Sequence, residues 1–202
     1  MEMPGDKVGG GDKNEVFYFA YGSNLSSTQM RARCPSAEAV GLAFLPSWSW
    51  LINERGYANI VPLLPSSSAS RIFLSSPPSP SLTSSAVAKE GVGEEGVYGV
   101  LYRLPFHDEK TLDRYEGVPW AYEKLYLDAA LITKLTVAGA SDGEQKTNTV
   151  RILAYVDRKR ISPGTPNLEY VGRMNLGIKE ATEEWDLPQK FVDEVIRPFI
   201  PA

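Results

Sequence analysis

Short runs of β-branched and aromatic residues alternate with clusters of Gly, Pro, Ser and Asn along the first three quarters of the chain. Runs of this kind, bounded by turn-forming residues, are typical of β-strands. The predicted strands cover residues 16–20, 39–53 (one long or bent strand), 58–61, 97–103, 122–131, 131–138 and 150–156. A polar turn is predicted at 139–148, between the last two.

Helical patterns are short in this region and dominate the end of the chain. Helices are predicted at 25–33 and 108–115, and then at 170–181 and 189–196. Asn24 or Ser26 is available to cap the first helix, which must end before Cys34-Pro35 because a residue that precedes proline disfavours helical geometry. This order of elements indicates an α+β fold with a mainly antiparallel or mixed sheet that can close into a barrel.

Two segments depart from the pattern. Residues 1–14 combine glycines with alternating charges, and residues 62–95 contain five prolines among many serines. Such compositions bury too little apolar area to offset the entropy lost on ordering. The sequence therefore predicts a disordered tail at 1–14 and a single domain over 15–202 that carries a mobile surface insertion at about 62–95.

The composition narrows the classes of partner. The 202 residues are 43% hydrophobic and 23% charged, as in a folded globular protein, and no apolar run is long enough to span a bilayer. The net charge of -4, without a Lys/Arg run, argues against nucleic acid or a membrane as a partner. The tail has neither a secretory nor a transit-peptide pattern, and Cys34 is the single cysteine, so we expect a cytoplasmic protein.

The residue inventory also limits the chemistry. The chain has one histidine, His107, and contains no HExxH, EF-hand, P-loop or GxGxxG motif, so nothing in it predicts a metal or a nucleotide cofactor. A hydrolase that uses Cys34 and His107 remains an alternative if the two side chains meet in space. Otherwise we expect His107 on the surface or at a helix cap, and Cys34 buried beside a helix end.

Carboxylate chemistry is the remaining candidate, and Glu116 is the residue best placed for it. The pattern at 113–119 predicts a short helix that ends at Gly117, where a chain reversal can project the Glu116 carboxylate into a cavity. Burial among Tyr115, Trp120 and Tyr122 would raise its pKa toward the range of a general acid or base. A glutamate at such a position is also common as a solvated surface residue.

A second candidate site is the loop at 21–25, which follows the first predicted strand and opens a helix. In this setting successive backbone N–H groups point outward, and the helix dipole adds positive potential, so a carboxylate or a developing oxyanion can bind there. The same Gly-Ser-Asn sequence is ordinary turn chemistry in many proteins.

Together these motifs resemble the γ-glutamylcyclotransferase family, which includes the AIG2-like proteins. The matching segments are, in chain order, FYFAYGSNL at 17–25, ANIVP at 58–62, VYGVLY at 97–102, LDRYEG at 112–117, Tyr122 with its strand, Ala154-Tyr155, and NLGI at 175–178. The resemblance extends over nearly the whole chain outside the tail and the insertion.

The resemblance implies a small mixed, mainly antiparallel β-barrel with flanking α-helices, whose cavity holds a γ-glutamyl group. It carries the family's essential glutamate over to Glu116. It carries the substrate-binding loop over to Tyr21, Gly22, Ser23, Asn24 and Leu25, and two aromatic positions near the pocket to Tyr122 and Tyr155. The implied reaction releases 5-oxoproline when the α-amine of the substrate attacks its own γ-carbonyl, with Glu116 as base and then acid and without a cofactor or a metal.

The leaving amine stays open at this point. The γ-glutamyl half is common to glutathione, γ-glutamyl amino acids, γ-glutamylamines and glutathione conjugates of secondary or xenobiotic metabolism. A protein of another class, which binds a small ligand without catalysis, is a further alternative. The sequence does not distinguish a monomer from a homodimer.

Overall fold

The computed structural model describes residues 15–63, 95–132 and 149–202. The predicted tail, residues 64–94 of the predicted insertion, the end of the strand predicted at 131–138 and the turn predicted at 139–148 lie outside these ranges. Seven strands are present in the described residues: β1 Glu15–Ala20, β2 Glu38–Pro46, β3 Trp48–Ile52, β4 Ala58–Pro62, β5 Gly96–Pro105, β6 Glu123–Leu131 and β7 Thr149–Val156.

Five of these strands form a closed barrel in the order β1-β5-β2-β6-β7. All neighbours pair antiparallel except β1 and β7, which pair in parallel where Tyr18 lies opposite Leu153. Apolar side chains of β5 and β7 fill the interior and are almost completely buried. The predicted α+β class and the mixed, mainly antiparallel barrel are confirmed.

The single strand predicted at 39–53 is wrong, because the chain turns sharply at Ser47. Ser47 has a φ of 63°, a backbone conformation that interrupts a strand. Its N–H donates to the Glu95 carbonyl and its carbonyl accepts from the Leu63 N–H. Consequently β2 stays in the barrel, while β3 leaves it and pairs with β4 as a separate hairpin.

Four helices and two other helical segments complete the described part of the chain. They are a 3₁₀ turn at Ser23–Leu25, α1 Ser27–Arg33, α2 Phe106–Glu116, α3 Leu168–Trp185, α4 Gln189–Phe191 and a π-helical segment at Val192–Ile196. Ser26 is the N-cap of α1, since its Oγ accepts from the Gln29 N–H at 3.0 Å. No helix within the described ranges is long and apolar enough to cross a membrane.

Helix α3 packs against the segment that joins β1 to α1. The contact is close at Gly177, where a Cβ atom would lie 3.1 Å from the Cβ of Leu25 and 3.2 Å from the Ser26 nitrogen. The Glu180 carboxylate accepts hydrogen bonds from the Ser26 hydroxyl at 2.7 Å and the Thr28 N–H at 3.0 Å. Helix α3 therefore fixes the position of the 21–25 loop.

Candidate active site

A cavity of about 210 Å³ lies where the 21–25 loop, the β3–β4 hairpin, the end of α2 and the start of α3 meet. Its wall contains predominantly tyrosine, arginine and small polar side chains. The lining residues are Tyr18, Tyr21, Gly22, Ser23, Asn24, Arg33, Arg55, Tyr57, Ala58, Tyr115, Glu116, Tyr122, Tyr155, Tyr170 and Arg173.

Glu116 is the last residue of α2 and reaches the cavity because the helix stops immediately after it. Gly117 adopts the left-handed conformation, with φ 66°. The Gly117 and Val118 N–H groups then turn back to the Arg114 and Asp113 carbonyls, at 3.2 and 3.0 Å. The predicted helix end and the projection of Glu116 into a cavity agree with the structure.

Asn24 links Glu116 to the 21–25 loop. Its Nδ2 atom lies 3.1 Å from Glu116 Oε1 and 2.9 Å from the Tyr18 hydroxyl. Its Oδ1 atom accepts from Gln29 Nε2 at 2.8 Å and from Arg33 Nη1 at 3.0 Å. Both polar atoms of the amide therefore have hydrogen-bond partners. These partners fix its orientation so that the NH₂ group, a donor, points to the carboxylate.

The environment of Glu116 changes its proton affinity in two opposing ways. Burial raises the pKa of the Glu116 carboxyl above its ordinary value, because the charged form loses water. The positive charge of Arg33 and the Asn24 hydrogen bond partly offset this rise. Glu116 is half-buried as a residue, so its carboxylate can exchange protons with a ligand in the cavity.

The aromatic neighbours of Glu116 differ from those predicted. Tyr115 and Trp120 are 57% and 80% exposed, and only Tyr122 of the predicted three is buried. The helix directs Tyr115 to the surface, where the Arg33 guanidinium lies 4.9 Å from its ring centroid. The buried tyrosines of the cavity wall come from β1, the 21–25 loop, the residue before β6, β7 and α3: Tyr18, Tyr21, Tyr122, Tyr155 and Tyr170.

Three tyrosine hydroxyls already donate their protons within the protein. Tyr21 donates to the Tyr155 carbonyl, Tyr122 to the Ala58 carbonyl at 2.8 Å, and Tyr155 to the Asp113 carboxylate at 2.7 Å. Because Tyr155 is committed as a donor to Asp113, its oxygen faces the cavity as a hydrogen-bond acceptor.

Tyr170 has the opposite arrangement. Its oxygen lies 3.2 Å from the Ser23 nitrogen and 3.3 Å from the Ala58 nitrogen, so it accepts from two backbone N–H groups. Burial raises the pKa of Tyr170 to about 12, which keeps the hydroxyl protonated near neutral pH. With both lone pairs engaged, its proton is available to a ligand in the cavity.

Three arginines line the cavity, and each has different contacts. Arg173 forms an ion pair with Glu169, with N–O distances of 2.9 and 3.0 Å. Arg33 donates to Asn24. Arg55 lies 5.5 Å from the ring centroids of both Tyr57 and Tyr122.

Six of the seven residues predicted to bind substrate lie on the cavity wall, and Leu25 does not. The Leu25 side chain is in the core, and its N–H donates to the Gly22 carbonyl at 2.9 Å. The Ser23 N–H is engaged by Tyr170, so Tyr21, Gly22 and Asn24 are the candidates for free amide donors. Gly22 has a steric reason to be glycine, since a Cβ there would lie 2.8 Å from the Tyr170 hydroxyl.

The cavity residues that were not predicted as site residues include Tyr18, Arg33, Arg55, Tyr170 and Arg173. Tyr18 carried the clearest signal in the sequence, because it belongs to the same FYFAYGSNL segment as Asn24, whose side chain it contacts. The others come from elements that sequence alone does not bring together.

The structure gives no support to a Cys34–His107 nucleophile. The Cys34 thiol is buried at the C-cap of α1 and donates to the Asp108 carbonyl at 3.5 Å. Burial raises the pKa of the thiol to about 11, opposite to what a nucleophilic cysteine requires. His107 is exposed, and its Nε2 lies 3.0 Å from the Ser36 hydroxyl. Both positions agree with the expected structural roles.

Among the described residues, no group of three or more His, Cys, Asp or Glu side chains is placed to hold a metal ion.

Solved structures with similar folds include a γ-glutamyl cyclotransferase. The chain superposes on that protein with a TM-score of 0.60 and 19% identity over 90% of this chain and 86% of the other. An uncharacterized protein from Homo sapiens gives a TM-score of 0.60 and 19% identity over 91% and 88% of the two chains. YkqA from Bacillus subtilis gives 0.58 and 18% over 94% of this chain and 56% of its own.

The chain therefore has the γ-glutamylcyclotransferase-like fold, which confirms the resemblance at the level of architecture. No protein-family model matches the chain. No curated protein matches it significantly.

Proposed function

We propose that this protein is a γ-glutamylcyclotransferase, which releases 5-oxoproline and a free amine from a γ-glutamyl substrate. The observation that supports this proposal most strongly is the hydrogen bond between Asn24 and Glu116 at the cavity wall. It joins the two most distinctive motifs of the sequence, which lie 92 residues apart. A carboxylate with a raised pKa, held at a fixed position in an aromatic cavity, suits reversible proton transfer.

Glu116 acts twice in the proposed reaction. It first takes a proton from the α-amino group, which frees the nitrogen lone pair to attack the γ-carbonyl carbon and close the five-membered ring. It then returns that proton to the departing nitrogen as the γ-amide bond breaks, because an unprotonated amide nitrogen is a poor leaving group. The ring nitrogen loses its second proton to the released amine, which leaves as an ammonium. The substrate supplies both reacting atoms, so water is not consumed and no covalent enzyme intermediate forms.

The tyrosine hydroxyls supply matched acceptors and donors. The Tyr155 oxygen, whose proton is directed to Asp113, accepts from the substrate ammonium and holds it near Glu116. The Tyr170 hydroxyl, which accepts from two backbone amides, directs its proton to the γ-carbonyl oxygen as negative charge develops there. Tyr170 lies next to Gly22, so the loop amides can assist at the same oxygen.

The proposal is tested by incubating the purified protein with glutathione, a γ-glutamyl amino acid, a γ-glutamylamine and a glutathione S-conjugate. Release of 5-oxoproline is followed by mass spectrometry. Glu116→Gln keeps the shape of the side chain but removes the base, and Glu38→Gln makes the same change on a carboxylate whose side chain is 70% exposed.

We expect the wild-type protein and Glu38→Gln to release 5-oxoproline equally from at least one substrate. Glu116→Gln should lose at least about a hundredfold, as expected for loss of a general base. Tight binding of a γ-glutamyl compound without any release would favour the ligand-binding alternative. Undiminished release by Glu116→Gln would exclude Glu116 as the catalytic residue.

A further inference from the structure

Arg55 lies in the turn between β3 and β4, and its backbone is fixed from two sides. The Arg55 N–H donates to Asn53 Oδ1 at 3.0 Å, and the Arg55 carbonyl accepts from Asn167 Nδ2 at 2.9 Å. The next residue, Gly56, has a φ of 81°, and the Gly56 carbonyl accepts from the Asn167 N–H. The turn therefore presents the arginine side chain from a defined position.

The guanidinium of Arg55 lines the cavity and lacks an acceptor for one of its nitrogens. Its Nη1 atom is buried and has no hydrogen-bond partner among the described residues. The group rests between the rings of Tyr57 and Tyr122, which hold it by cation–π contacts but accept no hydrogen bond from this nitrogen. An arginine stays charged at all physiological pH values, so a buried N–H of this kind is stabilised when an anion binds.

No other charged group of the described cavity wall accepts a hydrogen bond from Arg55 Nη1. Arg173 forms an ion pair with Glu169. Arg33 donates a hydrogen bond to Asn24, and its positive charge lowers the pKa of Glu116. Within the described residues, the cavity wall and its paired Glu169 thus carry one excess positive charge. A substrate with one net negative charge complements this wall.

The γ-glutamyl group alone has no net charge, because its α-ammonium and α-carboxylate cancel. A leaving amino acid or peptide adds a terminal carboxylate, whereas a leaving alkylamine adds none. Arg55 lies in the turn between β3 and β4, whereas Glu116 ends α2, so the two side chains reach the cavity from different elements. A leaving half that extends toward the β3–β4 turn would bring its terminal carboxylate to Arg55.

We propose that Arg55 determines specificity by binding a carboxylate on the leaving half of the substrate. This inference rests on the proposed γ-glutamylcyclotransferase activity and names its substrate class as γ-glutamyl amino acids and peptides, including conjugates that keep a terminal carboxylate. The planar guanidinium matches a carboxylate through two parallel N–H bonds. A γ-glutamylamine would leave the buried Nη1 without an acceptor.

The test compares γ-glutamyl-alanine with γ-glutamyl-alaninamide, which differ only in the terminal group of the leaving half, a carboxylate in the first and an uncharged amide in the second. Both are assayed with the wild-type protein, with Arg55→Met and with Arg158→Met. Methionine retains an apolar side chain against Tyr57 and Tyr122, and Arg158 is a matched surface arginine whose side chain is 64% exposed. Arg55→Lys, which keeps the positive charge but lacks the planar guanidinium, serves as a second variant. Melting temperatures of all variants check folding.

We expect the wild-type protein and Arg158→Met to prefer the acid by at least about tenfold in kcat/KM, the value of one charge-assisted contact at a partly open site. Arg55→Met should lose that preference by slowing the acid alone, mainly through KM, and Arg55→Lys should retain part of it. Equal losses on both substrates, or equal wild-type efficiency on both, would overturn the role of Arg55 and leave the activity intact. Failure of the wild-type protein to release 5-oxoproline from these two substrates and from the four substrates of the first assay would refute the proposed function itself.

Discussion

Replacing Asn24 with aspartate tests whether its amide controls the protonation of Glu116. The substitution preserves the size of the side chain and the oxygen that accepts from Gln29 and Arg33. It replaces the Nδ2 donor, 3.1 Å from Glu116 Oε1, with a carboxylate oxygen. A hydrogen bond that favours the charged form of Glu116 thus becomes a repulsion that disfavours it.

The size of the effect follows from the lost contact. A hydrogen bond to a charged group contributes about 1.5–3 kcal/mol, and one pKa unit corresponds to about 1.36 kcal/mol. We use the lower end because Glu116 is half-buried, which gives a rise of at least about one unit in its pKa. Glu116 must be deprotonated to act as a base, so activity is lost as pH falls through its pKa and the variant should lose activity at a higher pH.

The assay is the pH profile of kcat/KM for 5-oxoproline release, compared with Gln29→Glu as a control of equal charge. Gln29 Nε2 donates to Asn24 Oδ1 at 2.8 Å, so the added charge in the control is one residue further from Glu116. We expect the acidic limb to move up by about one unit or more in Asn24→Asp and by much less in Gln29→Glu. Equal shifts of the acidic limb in both variants, or no shift in either, would refute the claim that the Asn24 amide lowers the pKa of Glu116.

Three other predictions follow from the same site. Because burial raises the folded-state pKa of Glu116, its charge destabilises the fold above that pKa and has no effect where the group is protonated in both states; Glu116→Gln should therefore melt a few degrees higher at about pH 8 but not at about pH 4. A lower melting temperature of the variant at pH 8 would contradict this sign. Gly22→Ala should lower kcat by about 10- to 100-fold without unfolding the protein, since the new Cβ meets the Tyr170 hydroxyl at 2.8 Å; unchanged kcat would mean that this hydroxyl does not act. Trifluorotyrosine at position 170 should bring a new alkaline limb into the measurable pH range, because its more acidic phenol loses the donated proton; a profile identical to that of wild type would argue against proton donation.

The sequence predicted most strands and the ends of the early helices correctly, because those features depend on local composition. Gly117 after Glu116 and the proline after Cys34 each mark a helix end by backbone sterics alone. The turn at Ser47 was not predicted. Serine has no intrinsic need for a positive φ, so the turn that separates β2 from β3 results from its tertiary hydrogen bonds with Glu95 and Leu63.

The sequence predicted those site residues that stand in local motifs and missed those that only tertiary contacts bring to the cavity. Glu116 and the 21–25 loop stand in distinctive motifs, and the structure brings them into contact. The sequence predicted a buried aromatic enclosure from the neighbours Tyr115 and Trp120. In the structure Tyr115 lines the cavity but is largely exposed, Trp120 does not line it, and Tyr170 of α3 is a buried wall residue. Arg55 carried no local signal, because its significance comes from a missing acceptor that only the folded arrangement reveals.

The most direct test of cyclotransfer is to run the reaction in H₂¹⁸O and to analyse the released acyl product by mass spectrometry. Cyclotransfer yields 5-oxoproline without ¹⁸O, since the α-amine and not water attacks the γ-carbonyl, and we expect Glu116→Gln to lose this product by at least about a hundredfold. Glutamate that carries ¹⁸O in its γ-carboxyl group would identify a hydrolase and exclude cyclotransfer.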